Sequence, residues 1–249
     1  MRLQGKIALI TGASRGIGLA IARAYVQEGA AVALCARDAA ALAAAAEILR
    51  AHSDGARILA QPCDVSRPKE VEELMAAVEA AFGRLDVLVN NAAVLGPRVP
   101  IAEYPLDAWR EVLEVNLTGA FLVTRAALPL MRRARGGSII YLSSGVGRRG
   151  RARWGAYAVS KGAIEILTQV LAEELAPEGI RVNAVNPGPT RTRMRAQAHP
   201  EEDPLSVPAP EEIVPIFVYL ASDESGEITG QSLDARSFRW PGTSTGAFP

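Results

Sequence analysis

The chain reads as one α/β domain: a doubly wound parallel sheet of about seven strands with helices on both faces. Three observations carry that expectation. Short apolar runs alternate with helix-patterned stretches almost without exception. The 249 residues, 49% of them hydrophobic, suffice for one large core. The residues with chemical character follow the apolar runs, and in such sheets ligands bind beyond the C-terminal strand ends. The domain is expected over 1–238, followed by a Pro/Gly/Ser/Thr-rich tail at 239–249.

Bulk composition removes several classes of function. Lys and Arg total 27, and Asp and Glu also total 27, so nothing draws the whole chain to nucleic acid or an anionic membrane. Cys35 and Cys63 lie in apolar, strand-like surroundings and read as reduced core residues. His52 and His199 have no ligand-like neighbours, and no metal site is expected. No apolar run is long enough to span a bilayer and no signal peptide precedes the first strand, so the expected location is the cytoplasm.

The first strand is expected at 6–11, where Lys-Ile-Ala-Leu-Ile-Thr suits a buried parallel strand. Thr-Gly-Ala-Ser-Arg-Gly-Ile-Gly at 11–18 then opens a helix running to about residue 28. A glycine turn between strand and helix lets the main chain approach a phosphate, and the helix end offers free amides and a positive dipole. The spacing is Gly-x-x-x-Gly-x-Gly, through Gly12, Gly16 and Gly18. A second strand covers 31–36, followed at once by Arg37. In dinucleotide-binding folds an acidic residue here holds ribose hydroxyls, whereas Arg accommodates a 2′-phosphate. Arg15 and Arg37 together favour NADP(H) over NAD(H), and Asp38 suits a helix cap.

A helix over 39–52, a strand over 57–63 and a helix over 68–82 follow. Asp64, at the strand end beside Val65, either meets an adenine amino group or caps the next helix. The fourth strand, 86–89, runs into Asn90-Asn91-Ala92-Ala93, amides that either brace strands or touch a ligand. A long helix is expected over 106–133 with Asn116 in its middle, an unfavourable place that implies a kink or a held water. The fifth strand, 138–142, ends at Ser143-Ser144, and a loop at 145–154 carries Arg148, Arg149, Arg151 and Arg153.

The helix over 156–175 holds Tyr157 and Lys161 four residues apart, on one face. A phenol titrates at about 10, and a neighbouring cation lowers that value toward the range where proton transfer is efficient. The sixth strand, 180–185, ends in Asn186-Pro187-Gly188-Pro189-Thr190-Arg191-Thr192. A lid with short helical pieces is expected at about 190–210, a last helix at 211–222 and a seventh strand at 230–233.

From 5 to 234 the chain resembles the short-chain dehydrogenase/reductase family, a Rossmann-like fold, through four motifs in order: 11–18, Asn-Asn-Ala at 90–92, Tyr-Ala-Val-Ser-Lys at 157–161 and Pro-Gly at 187–188. The resemblance implies that Tyr157 is the general acid or base and that Lys161 lowers its pKa and bonds the nicotinamide ribose. It implies that Ser144 polarises the substrate carbonyl or hydroxyl and that Asn116 positions a water linking Lys161 to solvent. Gly12, Ser14, Arg15, Gly16, Ile17 and Gly18 would surround the cofactor's phosphates and adenosine. Asp64 and Val65 would meet adenine, Asn91 and Ala92 the ribose, and Pro187, Gly188, Thr190 and Thr192 the nicotinamide. The implied activity is hydride transfer between NADP(H) and a small carbonyl/alcohol substrate, in a homodimer or homotetramer. The alternatives are an NAD(H)-dependent dehydrogenase working in the oxidising direction and a dinucleotide-binding sensor or scaffold without turnover.

Three departures stand out. Ala93 replaces a frequent Gly, Ala36-Arg37 fits NADP-type members, and Leu233-Asp234-Ala235-Arg236 replaces the usual Val-Asp-Gly-Gly at an end that often packs between subunits. The arginines at 148–153, with Arg191, Arg193 and Arg195, form either a solvated basic surface or an attraction for an anionic substrate.

Overall fold

Five-residue β1, Ile7–Thr11, is buried along its whole length, as a strand covered on both faces must be. It is the centre of a computed structural model that describes residues 1–53 and 55–241. From β1 the chain winds outward in one direction, through α1 (Gly16–Gln27), β2 (Ala31–Ala36), α2 (Ala39–Ala51) and β3 (Ile58–Pro62). It returns through α3 (Pro68–Phe82) to β4 (Val87–Asn90) on the other side of β1. The second half continues through α4 (Leu106–Leu113), α5 (Ala120–Arg133), β5 (Gly137–Leu142), α6 (Gly145–Arg148), α7 (Gly155–Leu175) and β6 (Ile180–Asn186). It closes with α8 (Arg193–Ala198), α9 (Pro215–Ala221) and β7 (Ser232–Asp234). The sheet order is β3-β2-β1-β4-β5-β6-β7, with every pair parallel. The winding reverses between β1 and β4, and the loops there part to leave a crevice.

Helix boundaries follow local chemistry. Asp38 caps α2 by accepting from Ala41 N at 3.0 Å. Pro68 opens α3 at a position where a missing amide costs nothing, and Gly83 closes it at φ +78. Two apolar layers cover the sheet. One, holding Ile10, Ile21, Leu34 and Phe217, lies under α1, α2 and α9, and Tyr25 crosses it to donate to Phe217 O at 2.9 Å. The other, holding Leu74, Leu88, Val123, Ile139 and Ile164, lies under α3, α5 and α7.

The structure departs from expectation in four places. The stretch 106–133 is interrupted by a π turn, Glu114–Gly119, centred on Asn116. Part of the expected loop at 145–154 is the short α6, and residues 211–222 begin as a 3₁₀ turn, Pro210–Ile213, before α9. The seventh strand is displaced to Ser232–Asp234. The expected tail lies outside the described residues from 242 on. Its start is held by the chain itself: the Trp240 ring packs against Tyr219 and Phe238 and lies beneath the Arg2 guanidinium at 4.2 Å. Among the described residues no helix is long and apolar enough to cross a membrane.

Candidate active site

The C-terminal ends of the strands open into one cleft of about 1110 Å³. The site residues expected from sequence line it, except Gly18 and Asn116, which are buried behind its wall.

At the β1–β2 end the wall is main chain. Gly12 sits at φ +65, and a Cβ there would meet Ala92 Cα at 2.9 Å. A Cβ on Gly18 would meet Gly12 O at 2.5 Å and the Asn91 amide nitrogen at 2.6 Å. Turn, helix and β4 end therefore pack at a spacing only glycine permits. No side chain caps the start of α1, where Arg15 occupies the cap position, and its first turn holds no acidic residue. Its free amides and dipole face the cleft, a cradle that fits a phosphate-linked ligand. Asn91 braces this turn, donating to Thr11 O at 2.8 Å and Gly12 O at 3.0 Å, while Thr11 Oγ1 accepts from the amides of Asn91 and Ala92.

Arg37 is exposed at the end of β2. Arg15 pairs with Asp38 at 3.2 Å, both half in solvent, so its charge is partly countered. Asp64 does not cap α3: its carboxylate accepts from Ser66 N and Ser66 Oγ, and Arg67 takes the cap position. Thr192 lies against the glycine turn, with Cγ2 3.5 Å from where a Gly16 Cβ would be, and it also caps α8 through Arg195 N.

At the β5–β6 end the wall is side chain. Tyr157 is only 9% exposed, and the Ser144 hydroxyl lies near enough to favour its phenolate. Ser144 stands at the start of α6 without capping it, which leaves the hydroxyl free for Tyr157. Lys161 is 4% exposed and donates through Nζ to Leu142 O at 2.6 Å, with that nitrogen 5.7 Å from the centre of the Tyr157 ring. The expected lowering of the phenol by the ammonium does not hold in this structure. Burial pushes Tyr157 up to about 12, and the neighbouring Ser144 hydroxyl pulls the other way. Burial brings Lys161 down to about 8, against the opposing field of Glu165. The ammonium is turned toward the strand carbonyl, and desolvation outweighs attraction.

Asn116 occupies the π turn for a visible reason. Its carbonyl accepts from Val94 N at 2.8 Å, and its NH₂ donates to Val94 O at 3.0 Å and Ser160 Oγ at 3.1 Å. The amide thereby ties the segment after β4 to α7 beside Tyr157.

Of the seven arginines placed near the site by sequence, Arg151, Arg191, Arg193 and Arg195 line the cleft. Arg195 is paired with Glu202 at 2.5 Å. Arg148 points elsewhere, bound to Asp234 and Glu165, so it is not available to a ligand. Asp234, part of the unusual end of β7, also accepts from Asn186 Nδ2 at 2.7 Å.

Sequence reasoning missed the groups that roof the substrate side. The Trp154 ring lies 5.7 Å from that of Tyr157 and 6.1 Å from that of His199. Arg98 stacks over Trp154 at 4.4 Å and donates to Ala198 O at the end of α8. Burial, then Arg195 and Arg98, hold His199 below its ordinary pKa. These contacts join residues far apart in the chain and leave no local pattern.

The family model for short chain dehydrogenases matches residues 6–203. The oxidoreductase YciK of Escherichia coli K12, itself uncharacterized, is 39% identical over 248 residues, covering 97% of this chain and 96% of that protein. A solved short chain dehydrogenase from Pseudomonas syringae superposes with a TM-score of 0.89 at 47% identity, covering 94% of this chain and 96% of that one. Another, from Shigella flexneri 2a and solved with NADP, gives 0.90 at 38% identity, covering 94% and 98%. With this fold, this cleft and these relatives, the chain belongs to the short-chain dehydrogenase/reductase family, oxidoreductases acting on CH–OH and C=O groups.

Proposed function

We propose that this protein reduces a carbonyl, or oxidises the matching alcohol, with NADP(H). The observation that carries the reading is that one cleft joins the glycine cradle at β1 to the Ser144–Tyr157–Lys161 cluster at β5 and α7. The NADP bound in the Shigella flexneri relative supports the choice of cofactor. So does Arg37, with Arg15 beside it, at the end of β2 where a 2′-phosphate would be met.

Gly12, Ser14, Arg15, Gly16, Ile17 and Gly18 would hold the phosphates and adenosine, with Asp64 and Val65 at the adenine and Asn91 and Ala92 at the ribose. Pro187, Gly188, Thr190 and Thr192 would flank the nicotinamide, which supplies or accepts the hydride. Ser144 and Tyr157 donate hydrogen bonds to the substrate oxygen as negative charge gathers there, and stabilising that charge usually contributes more to such catalysis than any other effect. Tyr157 then delivers its proton. A phenol raised by burial is a neutral donor at pH 7, suited to the reducing direction. Lys161 supplies the positive charge beside it. Asn116 braces the wall through its amide, which ties Val94 to Ser160 of α7.

The substrate end is lined by Trp154, Met194, Leu95 and Val146 together with Arg151, Arg191 and Arg193. The acidic residues of the wall, Asp38, Asp64 and Glu211, lie at the ends of β2 and β3 and on the turn packed against α1. This favours a substrate with a flat apolar body and a negative group. A panel of neutral and anionic ketones, followed by nicotinamide absorbance with NADPH and with NADH, tests both statements. Turnover is expected with NADPH, fastest on anionic ketones and most salt-sensitive for them. Turnover confined to NADH, or rates indifferent to substrate charge, would overturn the respective statement. A homodimer or homotetramer is the accompanying reading, supported by the exposed Phe121 of α5 and Ile166 and Val170 of α7.

A further inference from the structure

Three consecutive residues at the end of β5 each meet one residue of α7. Leu142 O accepts from Lys161, Ser143 Oγ donates to Glu165, and Ser144 faces Tyr157. Positions 157, 161 and 165 are four apart and share one helical face. Glu165 is only 9% exposed, and an unpaired carboxylate at that depth would be strongly unfavourable. It is compensated by Ser143 and by Arg148, whose Nε lies 3.4 Å away. Arg148 is in turn fixed by both Asp234 oxygens, at 3.0 and 2.9 Å, and by Leu233 O at 3.2 Å. Lys161, Glu165, Arg148 and Asp234 thus form a row of alternating charge from the reacting end of α7 to β7.

We propose that Glu165 is a positioning residue of the reaction, keeping the Lys161 ammonium charged inside a dry site, and that Arg148 sets how strongly it does so. The inference rests on the reading of Tyr157 and Lys161 as the proton-exchanging pair. Burial drives Lys161 toward its neutral form, and among the described residues Glu165 is the charged group that opposes this. The other groups around Lys161 are accounted for. Tyr157 stands one turn away on the same helix, and Ser160 is neutral and bonded to Asn116. The β5 end contributes a carbonyl and hydroxyls, and α6 brings the main chain of Gly147 against Lys161, with Arg148 next in the chain. Asp234 reaches the row through Arg148.

The test is the pH dependence of kcat/KM with NADPH and a turned-over ketone. In Glu165→Gln the alkaline limb should move down by about one pH unit, because the lysine loses its counter-charge. In Glu165→Asp it should stay near the wild-type position. In Arg148→Met it should move upward, because Glu165 then acts unopposed; a purely structural role predicts no such pair of opposite shifts. If Glu165→Gln does not fold, as judged by thermal melting, the Arg148→Met shift decides alone. Limbs that coincide with wild type in the folded variants, while Tyr157→Phe is inactive, would overturn the proposal and leave the reading of the site standing. Turnover in Tyr157→Phe would overturn that reading and the proposal with it.

Discussion

The two halves of the sheet meet the cleft with different parts of the chain. From β1 to β3 the wall is turn and helix end, with glycines where side chains would collide and amides left open at the start of α1. From β4 to β6 it is side chain, including Ser143 and Lys161, backed by Asn90, Asn116, Ser160 and Glu165, the six all under a tenth exposed and all partnered. Holding a long phosphate-bearing ligand asks for space and donors, which main chain provides once side chains are removed. Exchanging a proton asks for altered ionisation, which burial provides and exposed main chain does not. On the proposed function, binding and reaction are separated along one crevice, and substitutions should separate them too.

The sharpest break in this division comes from Tyr157→Phe. Loss of a positioned acid is expected to lower kcat by about 10²–10⁴-fold, while NADPH affinity, followed by fluorescence titration, stays near wild type. A matching loss of affinity would show that the halves are not separable.

Next in size is Lys161→Met. The lysine's pKa in the folded protein, about 8 against an ordinary 10.5, means its charged form is disfavoured by folding. That penalty is full below pH 8 and fades as pH rises toward 10.5, where the unfolded chain also loses its proton. Removing the charge should therefore stabilise the protein at pH 7 by at most on the order of 3 kcal/mol, with the gain vanishing near pH 10.5, while activity is lost. Urea unfolding at the two pH values measures this; destabilisation at neutral pH would mean that the bond to Leu142 outweighs burial.

The smallest effects belong to the other half. Arg37→Ser should weaken NADPH binding by about ten- to a hundredfold, the worth of a charge-assisted hydrogen bond, and leave NADH binding unchanged. Arg15→Ser should do less, because Asp38 already counters that guanidinium. Equal effects on both cofactors would place the 2′-phosphate elsewhere.

What the sequence disclosed divides along the same line. The glycine turn, Arg37, Asn91 and the Tyr157–Lys161 spacing are short-range patterns, and each lies where the pattern puts it. Glu165 continues the same four-residue spacing and was equally legible, although nothing in the sequence marked it as buried. The π turn was legible only as a kink at Asn116; its form was not, because the partner that justifies Asn116 is Val94, 22 positions away. Nor was the fate of Arg148, whose partner Asp234 lies 86 positions on. The direction of the Tyr157 shift failed for a related reason: a neighbouring charge can be read from spacing, but desolvation depends on everything folded above it.

The π turn carries a consequence for how this chain tolerates insertions and deletions. Such a turn holds one residue more than the α-helical ladder needs, and each residue rotates a helix by about 100°. Deleting one residue within Glu114–Gly119 would restore a regular helix yet swing α4 around its axis, carrying Val112 and Trp109 away from the cluster they share with Tyr104, Trp154 and Tyr157. The number of residues there cannot change without turning a wall of the cleft outward.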